Sequence, residues 1–275
     1  MAITAADVSK LRQMTGAGMM DCKKALQEAD GDFDKAVEVI RKKGMAVANK
    51  RADREATEGA VLSKVTDDAK KGALVVLNCE TDFVAKNESF VALAQSILDL
   101  GLTQGAKTLA ELNELELDGV AVKDVITEQI GVIGEKLELA AFNVVEAEKV
   151  VAYIHPGNKL ATLVGFNKAD LEEQMGKDVA MQVAAMAPVA VDKDSVPQDV
   201  IDKELEIGKE MARNEGKPEA MLDKIAQGRL GKFFKESTLL QQAFVKDNKM
   251  SIEQYLKGAD KELTVTAFER YSLNS

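Results

Sequence analysis

The sequence predicts an α+β protein: an N-terminal three-helix domain, then a core of two related subdomains, each an antiparallel three-stranded sheet with covering helices. Three observations predict it. Residues 1 to 44 carry helical spacing alone, the period shortens to two from Gly59 onward, and the order hairpin, helix, closing strand occurs twice. A chain of 275 residues is long enough for about two domains with a sizeable buried core.

Thr4 caps the first helix, where Val8, Leu11 and Arg12 fall at helical spacing until Thr15-Gly16-Ala17-Gly18 breaks it. The second helix runs from about Met19 to Ala29 and ends at Asp30-Gly31. Asp32 caps a third, with Phe33, Ala36, Val37 and Ile40 as its apolar stripe and Gly44 as its stop. The head domain thus covers residues 1–45. Residues 46–58 are charged, Ala-rich and without an apolar face, so a helical or flexible linker is expected, leaving the head a separate unit.

The first core subdomain is placed at residues 59–147. The runs 60–65 and 73–77 predict a hairpin, Ser89 to Leu100 a helix, and Thr108 with Glu111 a capping box. Val122, Val125, Ile126, Ile130 and Ile133 make an amphipathic helix ending at Gly134, and residues 137–142 a strand. The second subdomain, 148–275, repeats the plan. A hairpin turns at His155-Pro156-Gly157-Asn158, a helix carries Met175, Val179, Val183 and Met186, and strand 263–268 echoes 137–142. Inside it, about residues 198–235, Val200, Ile201, Leu205 and Met211 face Met221, Leu222, Ile225 and Leu230 across the turn 214–218. That pattern predicts a protruding helical hairpin.

Charge and composition exclude several functions. Lys and Arg total 36 against 46 Asp and Glu, a net charge of −10. A protein that grips a phosphate backbone needs a cationic face, so direct nucleic-acid binding is not expected, and 4% aromatics with no Trp offer few stacking platforms. One His and two Cys rule out most multi-ligand zinc or iron sites, and the two Cys read as reduced cytosolic thiols. No secretory leader is visible. The uncharged run 179–191 is short of a membrane span and contains Pro188, so no membrane partner is expected and the cytoplasm is.

Most apparent motifs have plain explanations. Gly16-Ala17-Gly18 lacks the preceding strand, the third glycine and the Gly-Lys-Ser/Thr that a nucleotide loop requires; it reads as a turn. Asp30-x-Asp32-x-Asp34 fails as a calcium loop at Lys35 and Arg41. Cys22, Cys79 and His155 form no nucleophile or His-box spacing, so no catalytic set, cofactor or metal of its own is expected. Two features stand out. Consecutive Met19-Met20 places at least one Met outside the head core, beside Arg12 and Lys23, as an adaptable protein-binding surface. Thr81-Asp82-Phe83-Val84 follows a strand, where Thr81 caps a turn. Phe83 is then either tucked into the core or presented, with Asp82, to another protein's pocket.

Residues 15–26 (TGAGMMDCKKAL) and 78–86 (NCETDFVAK) resemble the two signature segments of the bacterial elongation factor Ts family. Segment 179–185 and the hairpin after Pro197 fall in that family's order. The resemblance covers essentially the whole chain. It implies a head similar to ubiquitin-associated domains, a two-subdomain core, and a coiled-coil hairpin in the second. It also implies guanine nucleotide exchange on elongation factor Tu. The head would dock through Arg12, Met19, Met20 and Lys23, and Thr81, Asp82, Phe83 and Val84 would intrude near the partner's Mg²⁺.

Gln182 would be a further partner contact, standing where the family often has His. The chain stops soon after its last strand, without the extra helix of some members. A homodimer or a heterotetramer with the partner stays open. So do two rivals, an adaptor or chaperone whose head binds while the core is scaffold, and a nucleotide-using enzyme built on the Gly16-Gly18 turn.

Overall fold

A computed structural model describes residues 3–273. Expectations about the two ends rest partly on Met1, Ala2, Asn274 and Ser275, which lie outside that range. Among the described residues no helix is long and apolar enough to cross a membrane.

The head is α1 (Ala5–Thr15), α2 (Met19–Glu28) and α3 (Phe33–Arg51). Thr4 and Asp7 form a reciprocal capping box at α1, and Gly16, at φ 69°, closes it. Asp30 and Gly31 take positive φ between α2 and α3, and the Asp32 carboxylate caps α3 by accepting from the Asp34 and Lys35 amides. Leu11, Cys22, Leu26 and Ala36 are fully buried at the centre.

The stop expected at Gly44 does not occur, because Gly44 keeps helical backbone and α3 continues to Arg51. Its role is close approach. In the first subdomain, β1 (Glu58–Val65) and β2 (Lys71–Cys79) form the hairpin. After it come the single turn α4 (Asp82–Ala85), α5 (Glu88–Gln104), α6 (Leu109–Glu114), the two-residue strands β3 (Glu116–Leu117) and β4 (Val120–Ala121), α7 (Val122–Ile133) and β5 (Leu137–Glu146). α3 crosses α7 glycine on glycine: a Cβ on Gly131 would lie 2.4 Å from the Gly44 Cα. Arg41 pairs with Glu128 at 2.7 Å beside the crossing, and Val47 and Ala48 pack on the first core. Residues 46–51 are therefore helix, one of the two forms expected of the linker, and they pack on the first core.

β6 (Lys149–Ile154), β7 (Leu160–Phe166) and α8 (Glu173–Met186) open the second subdomain. The insertion α9 (Gln198–Asn214) and α10 (Leu222–Ser237) follows, then β8 (Ala243–Phe244), β9 (Asp247–Ser251), α11 (Ile252–Ala259) and β10 (Val265–Ser272). The large sheets are ordered β1-β2-β5 and β10-β7-β6, antiparallel throughout; in each, the closing strand pairs with the hairpin's second strand. The run Ala73–Leu77 is apolar without alternation because both faces are covered. Ala73, Val75 and Leu77 point into the helix-covered core. Leu74 and Val76 point towards Val150 and Leu163 of the second sheet.

Between α9 and α10, Leu222 and Leu230 of the expected stripes are buried, but Met211 and Met221 are not. Gly208 meets Ala226, a Gly208 Cβ falling only 3.2 Å from the Ala226 Cα, and Ala212 is fully buried, while Met211 and Met221 stay about half exposed. Met186, at the end of α8, is likewise exposed.

The sheets meet at β5 and β10, where Asn143 donates to Glu269 at 3.0 Å. Burial pushes the Glu269 carboxyl above its usual range, against the Asn143 hydrogen bond. Its folded pKa being raised, its contribution is fully present below the ordinary carboxylate value and is lost as pH rises through the folded one. Glu269→Gln, which keeps an acceptor for Asn143, should raise the urea midpoint at about pH 8 and leave it unchanged near about pH 4. Equal effects at both values would contradict this.

Candidate functional site

At the end of β2 the chain leaves the sheet and makes the single turn α4. Thr81 sets it: its extended backbone precedes the turn and its Oγ1 accepts from the Val84 amide at 3.4 Å. The same hydroxyl donates to Glu135 Oε1 at 2.7 Å, while the Thr81 amide donates to Glu135 Oε2 at 3.0 Å. The Cys79 thiol donates to the Thr81 carbonyl at 3.2 Å. Burial, then the Glu135 charge, push that thiol up to about 12, so Cys79 stays a neutral donor.

On this base the four residues divide. Ala85 is buried and Val84 packs against the first core, while Phe83 is 84% exposed, the most exposed large apolar side chain among the described residues. Of the two placements open from sequence, tucked or presented, the structure has Phe83 presented. Asp82 accepts from Lys86 Nζ at 2.6 Å. That bond and the Lys86 charge hold its carboxyl below the usual range, so it is ionised at neutral pH. The result is a finger: a fixed capped turn with an acid and an aromatic at its tip.

One residue before Thr81, Glu80 anchors the base from the other side. Its Oε1 accepts from Arg51 Nη1 and from the Lys136 amide, both at 2.6 Å, and its Oε2 accepts from Arg54 Nη1 at 3.0 Å. Burial raises this carboxyl, but those three donors outweigh it and hold it at about 2. Lys136 Nζ donates to the carbonyls of Ala52 and Arg54 at 3.0 and 2.9 Å. The sequence reading missed Glu80, Glu135, Lys136 and both arginines. Their partners lie 26 to 84 positions away, and no local pattern marks such pairs.

The second cluster is on the head. Met19 and Met20, at the N-terminus of α2, are 50% and 63% exposed, so both point away from the head core. Arg12 and Lys23 are exposed on α1 and α2, and Met14 adds an exposed apolar side chain that the sequence reading passed over. Asp21, between Met20 and Cys22, is engaged by Lys43 of α3. The Gly16-Gly18 segment is a helix stop followed by the start of α2. Among the described residues no group of three His, Cys, Asp or Glu side chains is placed to hold a metal.

Gln182 belongs to neither cluster. It is fully buried in α8, donating to Gln242 Oε1 at 3.2 Å and the Ala243 carbonyl at 3.1 Å, and accepting from the Val245 amide at 2.9 Å. In the chain alone, Gln182, expected as a partner contact, makes its hydrogen bonds inside the fold as a strut. The reason is that three backbone and side-chain groups of the 242–245 segment need partners inside the protein.

The sequence of this chain is similar to known proteins along its whole length. The family described as elongation factor TS matches residues 80–275. The chain is 54% identical to elongation factor Ts of Christiangramia forsetii over 272 residues, 98% of each chain. It is 55% identical to that of Porphyromonas gingivalis over 276 residues, the whole of both, and 56% identical to that of Amoebophilus asiaticus over 98% of each. With matches of that extent and identity, the chain belongs to the elongation factor Ts family.

Proposed function

We propose that the chain promotes guanine nucleotide exchange on elongation factor Tu in the cytoplasm, acting by binding and without covalent chemistry. The observation that carries this reading is Phe83 held in water on a fixed turn. Burying such a side chain is worth roughly 1.5–3 kcal/mol, which this fold forgoes and a partner's pocket would recover. Arg12, Met19, Met20 and Lys23, on a ubiquitin-associated-like head, dock on the GTPase. Thr81 to Val84 enter beside its Mg²⁺, where Phe83 wedges between side chains and the Asp82 carboxylate disturbs the metal's support. Mg²⁺ bridges nucleotide and protein, so disturbing its ligands weakens GDP binding. By linkage, GDP weakens binding of this chain by the same factor.

The test loads elongation factor Tu with fluorescent GDP and follows its release. The chain should accelerate release, and Phe83→Ala and Asp82→Ala should each slow the accelerated rate by about tenfold, roughly 1.4 kcal/mol, with unchanged circular dichroism. No acceleration by the wild type would end the exchange reading; full acceleration by both variants would end the role of the finger.

A further inference from the structure

We propose that Glu80 is a positioning residue that joins head and finger into one rigid body, so that docking of the head delivers the finger to its target. The inference rests on the exchange reading above and adds to it a device for transmitting orientation.

Three segments distant in sequence meet at one point. They are residues 51–54 at the end of α3, residues 80–81 at the base of the finger, and residues 135–136 in the turn between α7 and β5. Glu80 binds the first through Arg51 and Arg54 and the third through the Lys136 amide. Lys136 reaches back to the carbonyls of Ala52 and Arg54, and Glu135 grips Thr81 at both its amide and its hydroxyl. The Glu80 and Arg51 side chains are largely buried, and charge-assisted hydrogen bonds are the stronger kind.

α3 is held at a second point, the Gly44–Gly131 crossing with Arg41–Glu128 beside it. The two points are seven residues apart, roughly 10 Å along a helix. A helix fixed at one point can pivot; fixed at two it cannot. The Glu80 end is joined to the base of the finger, so it sets the direction in which Asp82 and Phe83 point relative to the docking face of the head. With a free joint, the finger would find its site by search after docking, at an ordering cost that a preformed joint removes.

The experiment measures fluorescent-GDP release from elongation factor Tu against concentration of the full chain, for wild type, Glu80→Ala, Glu80→Gln, the pair Arg51→Ala/Arg54→Ala, Phe83→Ala, and Glu80→Ala with Phe83→Ala. A misplaced finger still docks. Glu80→Ala and the arginine pair should therefore lower the maximal rate about tenfold while moving the half-saturating concentration less than about twofold. Glu80→Gln, which keeps one acceptor, should fall between. In the Phe83→Ala background, Glu80→Ala should add nothing, since both act through the same finger.

Maximal rates at the wild-type level in both Glu80→Ala and the arginine pair overturn the proposal and leave the exchange reading standing. So do fully multiplicative effects of Glu80→Ala and Phe83→Ala. Should Glu80→Ala fail to fold, the arginine pair, outside the sheet, decides alone. A wild type that fails to accelerate release overturns the exchange reading and the proposal together, whereas a Phe83→Ala indistinguishable from the wild type overturns the proposal and leaves exchange itself standing.

Discussion

Gly131→Ala should loosen the head from the core and cost about 2–3 kcal/mol, whereas Gly44→Ala, its neighbour across the same contact, should be neutral or stabilising. The two glycines face each other but are not equivalent. A Cβ on Gly131 would sit 2.4 Å from the Gly44 Cα and 3.3 Å from its amide nitrogen, both backbone atoms that no side-chain rotation can move aside. A Cβ on Gly44 would instead meet the Thr127 carbonyl at 3.5 Å and the Gly131 Cα at 3.7 Å, ordinary contact distances.

Alanine in a helix interior gains about 0.8–1 kcal/mol over glycine by propensity. At Gly44 that gain stands unopposed. At Gly131 the clash must exceed it, because relief requires α3 to lift off α7, stretching Arg41–Glu128 and uncovering Val47 and Ala48. Urea unfolding gives the free energies, and amide hydrogen exchange along residues 41–51 locates the opening. Gly131→Ala with wild-type stability and wild-type protection in α3 would show that the helices are held apart rather than in contact.

That crossing also shows where sequence reading reaches its limit. Periodicity and caps located the head helices, both hairpins and their closing strands, because those signals are local: Thr4, Asp32 and Gly134 each act within a few residues of the helix end they define. Gly44 has the look of a stop for the same local reason. What makes it a contact is Gly131, 87 residues on, and nothing in either segment announces the other.

The finger divides the same way. Thr81 as a cap was legible from its neighbours, and the exposure of Phe83 was an open alternative that only the packing of Val84 and Ala85 resolves. The clamp beneath it stayed hidden because Glu80 and Glu135 are two among 46 acidic residues, set apart solely by what folding brings to them. In the helical hairpin, apolar spacing proposed Met211 for the seam, but Met211 stays about half exposed, and it is Gly208 that lets the backbones close at Ala226.

Gln182→Leu should destabilise the second subdomain by about 2–4 kcal/mol although leucine fills similar space. The amide completes hydrogen bonds with Gln242, the Ala243 carbonyl and the Val245 amide; Gln242 in turn donates to the carbonyls of Met186 and Glu236. The network thereby ties the end of α8 to the end of α10 and to β8. Leucine would strand three groups, each costing about 1–3 kcal/mol when buried. The estimate stays below their sum because Val245 is about half exposed, so water can reach its side of the network.

Gln182→His should cost less than leucine, since a neutral imidazole offers one donor and one acceptor in place of the amide's wider set. Val245 and Lys246 flank the same groove as Tyr153, Leu160 and Met181. An effect of these variants on partner affinity would therefore arise through the shape of that edge and should scale with the loss of stability. A Gln182→Leu protein that unfolds like the wild type yet loses affinity for elongation factor Tu would restore Gln182 as a direct contact, because a strut cannot be removed without weakening what it supports.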